Sequence, residues 1–337
     1  MAKVGIIGAG SWGVALATVL DENGHELTVW SLLEDEVNML NREHEHKSKL
    51  PGVKLSPHIL FTTDLEKTIK GMDLVVVAVP SPYVRSTAAN MRPYVEEGQI
   101  IVDVAKGIEE DSLMPMTEIL TQELPLADIA ILSGPSHAEE VSRKMPTSIV
   151  AGAKKKATAE YVQNLFMNSY FRVYTSPDVL GIGLGGSLKN VIALAAGMAD
   201  GLGCGDNTKA ALITRGIKEI SRLAEKRGAY DETVMGLSGL GDLIVTCASV
   251  HSRNRKAGYL IGQGKTMQEA MDEVQMIVEG VYSAKAARKM AEIYDIELPI
   301  IDEVNRVLFE GKNAREALFD LMQRDKKKEH TILKWEA

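Results

Sequence analysis

Short apolar runs alternate with amphipathic stretches over the first half of the chain. Lys3–Ile7, Glu26–Trp30, Asp73–Val79, Gln99–Val104 and Ile129–Ser133 are each apolar and bounded by Gly, Pro, Asn or Asp. That is the pattern of strands buried on both faces in a parallel sheet. Ser11–Asn23 and Ser81–Val95, which lie between strands, carry helical periodicity. Strands alternating with helices predict βαβ units and an α/β fold with a doubly wound parallel sheet. Beyond about residue 180 the pattern changes to long helical periods. Leu212, Gly216, Ile220 and Leu223 recur at helical spacing, with Lys218, Glu219, Arg222 and Glu225 assigned to other faces. Val278–Lys289, Glu303–Phe309 and Ala314–Met322 look similar. The expected organisation is an α/β domain over 1–180, an all-helical domain over 181–325 entered near Ser176-Pro177-Asp178, and a frayed polar tail over 326–337 that begins at Lys326-Lys327-Lys328.

Length and charge narrow the function. The chain has 337 residues, room for about two domains with cores that need no disulfide or metal staple. Its 38 Lys and Arg against 46 Asp and Glu give a net charge of −8, the wrong sign for a phosphate-backbone binder or an anionic membrane surface. Cys204 and Cys247 are the only cysteines, which excludes a disulfide framework and a four-thiolate metal site and makes a reducing compartment the default. No metal is expected. The strongest apolar run, Leu74 to Pro80, is too short to cross a bilayer. Glycines also interrupt the N-terminal segment where a signal peptide would need an apolar core. The expected location is the cytoplasm.

Gly8-Ala9-Gly10-Ser11-Trp12-Gly13 directly follows the first strand and opens the first helix, the context in which GxGxxG becomes informative. Gly8 allows the tight turn, Gly10 lets the backbone approach a pyrophosphate, and Gly13 permits close packing of helix on strand. N–H groups at the helix N-terminus hold the anion. This predicts a Rossmann-like dinucleotide-binding half; a turn glycine-rich for packing alone is the alternative. After the second strand, Trp30-Ser31-Leu32-Leu33-Glu34-Asp35 offers acids and no basic residue. That favours NAD over NADP, although Glu34 and Asp35 also suit the start of a helix.

Ligands of such sheets bind beyond the carboxyl ends of the strands. There stand Pro80-Ser81, Ala105-Lys106-Gly107 and Gly134-Pro135-Ser136-His137. Lys106 is a lone cation at a strand exit, a place held by surface lysines as well as ligand contacts. His137 reads as a loop or helix-start residue rather than a catalyst. The stretch Leu184–Ala196 is apolar nearly all round yet carries Lys189, with Gly185 and Gly186 beside it on the same face. A buried lysine must be paired or lose basicity, which makes it a usable acid or base; a lysine snorkelling to the surface is the equal alternative. Asp242, within Met235–Leu243, is a counter-charge for Lys189 or an ordinary helix cap. Ser252-Arg253-Asn254-Arg255 supplies guanidinium, amide and hydroxyl donors suited to a phosphate, with one arginine left to solvent.

These segments, together with Val77–Ser81, Lys106–Glu109 and Gly134–Val141, occur in an order that resembles the bacterial NAD(P)-dependent glycerol-3-phosphate dehydrogenases, from about residue 3 to about 325. The resemblance implies interconversion of dihydroxyacetone phosphate and sn-glycerol 3-phosphate, used for glycerophospholipid synthesis, with NAD(H) or NADP(H) as cofactor. It implies that Lys189 exchanges the proton and that Asp242 orients it. Lys106, Gly134, Ser136, Lys189, Asp242, Ser252, Arg253 and Asn254 match the family's substrate positions. Ser11, Trp12, Lys106, Ala138, Arg253, Ile277 and Glu279 match its cofactor positions. A homodimer is left open. Two departures stand out: Gly183 where members commonly carry Glu, and the absence of a basic residue after Trp30. A reductase of the same plan acting on a keto acid and a non-catalytic dinucleotide sensor are the alternatives.

Overall fold

The computed structural model describes residues 1–329 and Glu336. The apolar runs form the middle of one eight-stranded sheet of order β3-β2-β1-β4-β5-β6-β7-β8. Its strands are β1 (Lys3–Ile7), β2 (Glu26–Trp30), β3 (Leu60–Thr62), β4 (Leu74–Val77), β5 (Ile100–Asp103), β6 (Asp128–Ser133), β7 (Thr147–Ala153) and β8 (Phe171–Ser176). Successive side chains alternate faces, so Val4, Ile6, Val76 and Val102 join one core while Ile7, Val75, Val77 and Ile101 join the other. Helices α1 (Ser11–Glu22), α2 (Glu34–Glu43), α3 (Leu65–Ile69), α4 (Val84–Met91), α5 (Met116–Glu123), α6 (Ala138–Val141) and α7 (Lys156–Phe166) accompany the strands. Three strands, β3, β7 and β8, were not expected, and β7 runs antiparallel to β6, so the sheet is parallel except at one seam. The helix expected over Ser81–Val95 is interrupted by single 3-10 turns at Ser81–Tyr83 and Arg92–Tyr94, where Pro82 and Pro93 remove the N–H groups a continuous helix needs.

The rest of the chain is helical: α8 (Val179–Gly201), α9 (Asp206–Lys226), α10 (Asp231–Val234), α11 (Asp242–Ala248), α12 (Arg253–Gly262), α13 (Met267–Val274), α14 (Glu279–Tyr294), α15 (Pro299–Phe309) and α16 (Ala314–Met322). Helix α8 corrects the reading of the longest apolar run: it has 23 residues, and its most apolar 18-residue window has a mean hydropathy of 1.6, long and apolar enough to cross a membrane, but 89% of that window is buried inside the fold. It runs against α12 with backbones in direct contact. A Cβ on Gly197 would lie 2.1 Å from the Arg255 carbonyl oxygen, one on Gly201 2.2 Å from that of Tyr259, one on Gly258 2.1 Å from that of Leu194, and one on Gly262 2.2 Å from that of Met198. Only glycine fits at these four places.

On α9 the apolar stripe is buried as expected, and Lys218, Arg222 and Glu225 face solvent. Glu219, assigned to an outer face, is instead buried. Its carboxylate accepts the N–H groups of Ile300 and Ile301 at 2.8 to 3.1 Å, capping α15 from another helix, and burial pushes it up to about 7. Both cysteines are free thiols. In the polar tail, Lys327 pairs with Glu297 at 2.7 Å; residues 330–335 and 337 of that tail lie outside the described residues.

Candidate active site

Asp242 joins the two halves of the molecule. A π-helical turn over Leu237–Gly241 leads into α11, and Gly239 permits it, because a Cβ there would lie 1.9 Å from the Val234 carbonyl oxygen. The Asp242 carboxylate is not a helix cap. Its Oδ1 accepts from Lys189 Nζ at 2.7 Å and its Oδ2 from Lys106 Nζ at 2.6 Å. Lys189 comes from the middle of α8 and is 5% exposed, which disposes of the snorkelling alternative. Its Nζ also donates to Thr246 Oγ1 at 2.6 Å, and Thr246 is anchored by donating to the Asp242 carbonyl oxygen. Lys106, at the exit of β5, donates in addition to the Gly134 carbonyl oxygen at 3.1 Å. The glycines beside Lys189 serve its neighbours rather than its own stem: Gly185 lies against the Gly239 backbone, and Gly186 admits Ser133 and the Lys106 stem.

Burial pushes the Asp242 carboxyl up, but the ammonium groups of Lys106 and Lys189 outweigh it and hold it below the usual range. Lys189 moves the other way. Burial, reinforced by Lys106 and only partly opposed by Asp242, lowers it from 10.5 to about 8, where an amine both gives and takes a proton near neutrality. Asp103, buried at the end of β5, accepts the Ala105 N–H at 2.9 Å and so fixes the turn that presents Lys106; burial raises its carboxyl to about 8.

Around this cluster lie groups of two kinds. Ser252 is the N-cap of α12, its Oγ accepting from the Arg255 N–H at 3.1 Å. Arg253 is half-buried and, among the described residues, makes no ion pair. Arg255 is not solvated but bound to Asp200 at 2.7 Å. Asn254 is engaged inside the fold, donating to Asn190 Oδ1 and accepting from the Gly280 N–H, which ties the lysine helix to α12 and α14. Ser136 Oγ turns back to the Gly134 carbonyl oxygen at 2.9 Å. Gly134 has φ +157.

On the opposite side, Gly8 has φ +119 and donates its N–H to the Trp30 carbonyl oxygen at 2.9 Å. A Cβ on Gly13 would lie 2.0 Å from the Gly8 carbonyl oxygen, whereas one on Gly10 would meet nothing within 4 Å. Close packing at one glycine and free space at another, at the N-terminus of α1 with Ser11 and Trp12 in its first turn, fit a pyrophosphate. Ala138 opens α6, which packs on α1. Ile277 and Glu279 lie at the start of α14, where Glu279 Oε1 faces the Ser81 N–H at 3.5 Å. Beyond β2, Leu32 and Leu33 are exposed and Glu34 and Asp35 open α2.

The family models described as the N-terminus and C-terminus of NAD-dependent glycerol-3-phosphate dehydrogenase match residues 3–159 and 178–319. The chain belongs to that family. It is 66% identical over 335 residues to a glycerol-3-phosphate dehydrogenase (NAD(P)+) of Agathobacter rectalis, covering 99% of this chain and 100% of the relative. It is 49% identical over 329 residues to that of Bacillus subtilis, covering 97% and 95%. A crystal structure of glycerol-3-phosphate dehydrogenase from Coxiella burnetii superposes with a TM-score of 0.92 at 33% identity, covering 96% and 99%.

Gly183, where the resemblance leads one to expect Glu, has a structural setting. A Cβ there would meet Pro115, Thr117 and Ile131 at 3.5 to 3.8 Å, an apolar wall that offers an acid little beyond one hydroxyl. Sequence reading passed over Thr246 and Asn190. Thr246 stands four residues after Asp242, one helical turn on the same face, and Asn190 is adjacent to Lys189; both were accessible to spacing alone.

Proposed function

We propose that the chain reduces dihydroxyacetone phosphate to sn-glycerol 3-phosphate, and catalyses the reverse oxidation, to supply glycerophospholipid synthesis. The observation that carries the reading is the buried Lys189–Asp242 pair within reach of the sheet's carboxyl edge. When bound, the nicotinamide of NAD(H) or NADP(H) supplies or accepts the hydride. Gly8, Gly10, Ser11, Trp12 and Gly13 hold the pyrophosphate, with Lys106, Ala138, Arg253, Ile277 and Glu279 lining the rest of the cofactor cleft. Leu32 and Leu33, standing where a 2′-phosphate would need a cation, favour NAD.

Lys189 gives its proton to the developing alkoxide and takes it back in oxidation. Asp242 and Thr246 fix the direction of its ammonium group, and Lys106 adds positive charge at the same place. Such proton transfer contributes about 10²–10⁴ in rate. Arg253 and the N-terminus of α12, set by Ser252, grip the phosphate dianion, while Gly134, Ser136 and Asn254 shape the floor. The acid–base pair alone does not choose a phosphorylated substrate; the uncommitted guanidinium does. Residues 1–180 and 181–325 form two domains in this reading, supported by the end of β8 at Ser176 and the helical run from Val179. The location in this reading is the cytoplasm, which the two free thiols support, and a homodimer is tested by sedimentation.

The deciding assay is loss of NADH or NADPH absorbance on adding dihydroxyacetone phosphate, compared with a non-phosphorylated keto acid. Turnover of the phosphate ester supports the reading. Preference for the keto acid, or cofactor binding with no turnover of either, overturns it.

A further inference from the structure

We propose that His137 is a further substrate-contacting residue, donating a hydrogen bond from Nε2 to the substrate's phosphate group while His251 steadies its ring from the other side of the cleft. The proposal rests on the reading that the substrate is a phosphate ester bound near Arg253. It begins from an unmet need. The Nε2 atom of His137 is buried and has no hydrogen-bond partner among the described residues, whereas the large majority of buried polar atoms have one.

Its position says what that is. His137 follows Gly134-Pro135-Ser136 at the exit of β6 and immediately precedes α6. Its ring centroid lies 5.9 Å from that of His251, tilted by 56°. His251 is exposed and stands directly before Ser252 and Arg253 at the N-terminus of α12. The two imidazoles thus bridge the segment of Gly134 and Ser136 to the segment of Ser252 and Arg253. The carbonyl end of the site belongs to Lys189. The end beside Arg253 is where a dianion has oxygens to spare after the guanidinium and the helix N–H groups are used.

The charge state fits a donor that does not repel its cationic neighbours. Burial first, then Lys189 and Lys106, lowers the His137 pKa, with Asp242 and Glu139 opposing; the His251 ring also lies beside it. A neutral imidazole with its hydrogen on Nε2 sits beside two lysines at no electrostatic cost. Because Nε2 is buried, a phosphate dianion reaches its hydrogen only as the substrate closes against the ring.

The test uses the full chain and three variants. His137→Phe keeps a ring and removes the nitrogen, His137→Gln restores an N–H near the Nε2 position, and His251→Ala removes the exposed support. For His137→Phe the KM for dihydroxyacetone phosphate rises about tenfold or more, as for loss of one hydrogen bond to a charged group. Its kcat stays within about threefold and NADH affinity is unchanged. Inhibition by inorganic phosphate weakens in parallel. His137→Gln recovers most of the loss. If His137→Phe fails to fold, His251→Ala, altered only at the surface, carries the test with a KM raised about two- to fivefold. An unchanged KM and phosphate inhibition in these variants, a loss confined to kcat, or no recovery in His137→Gln overturns the proposal. Failure of the wild-type chain to turn over dihydroxyacetone phosphate overturns the functional reading instead.

Discussion

Asp242→Asn removes one charge and keeps the shape of the side chain, and its effect can be worked from the geometry. Lys189 stands at about 8 against an ordinary 10.5, so its site already holds back about 3 kcal/mol of protonation. Asp242 is the largest influence opposing burial there, and Lys106 works on the side of burial. With an amide in place the more distant Glu279 still opposes them, and one NH₂ must face an ammonium group. Breaking a buried ion pair from one side costs about 3–5 kcal/mol. Assigning the lower end to Lys189 moves its pKa down about two more units, to roughly 6. Reduction needs the ammonium form, so its rate is present below this pKa and lost above it. In the wild type kcat/KM for dihydroxyacetone phosphate falls as pH rises through about 8; in the variant the fall starts at roughly pH 6. At pH 7 the protonated fraction drops from about nine-tenths to about one-tenth. Oxidation of glycerol 3-phosphate needs the free amine, so its limb shifts by the same amount with the opposite slope. Initial rates followed by nicotinamide absorbance from about pH 5.5 to 9.5 in both directions measure the two limbs. A limb that stays near 8 in Asp242→Asn refutes the coupling.

Lys189→Met lowers kcat at least about a hundredfold with NADH binding intact by fluorescence; near-normal turnover would remove Lys189 from the chemistry. Arg253→Ala raises the KM for dihydroxyacetone phosphate about tenfold or more, and an unchanged KM argues against a phosphate role. Gly183→Ala adds a methyl group that meets Pro115 at an ordinary 3.5 Å and improves helix propensity by about 1 kcal/mol, so Tm rises by about 2–4 °C; a fall shows that the wall behind α8 does not tolerate even a Cβ. Glu219 is raised from 4.5 to about 7 in the folded chain, so the unfolded chain loses this proton first. Its contribution to stability therefore declines by about 3 kcal/mol as pH rises from 4.5 to 7. Denaturant unfolding at several pH values reads this slope, and Glu219→Gln flattens it.

The central strands were legible because four apolar residues in succession leave a parallel, doubly covered strand few rivals. The edge was not. In β8, Phe171 and Val173 are buried while Arg172 and Tyr174 are exposed, an alternation too brief to register, and β7 contains Ser148 and Gly152. Glu219 was misplaced because one turn of amphipathic helix cannot distinguish an acid facing water from one facing the N–H groups of Ile300 and Ile301, far along the chain. The residues of the site were legible individually and their pairing was not. Burial of Lys189 depends on α12 and α14 closing around α8, and the direction of Asp242 depends on a π-helical turn for which the glycines of Leu237–Gly241 supply permission but no address.

The four glycines between α8 and α12 fix more than a packing distance. Lys189 rides on one of these helices and Arg253 begins the other, and with main chain on main chain neither can slide or tilt without collision. The proposed proton donor and the proposed phosphate grip therefore stand on two helices held at one backbone spacing.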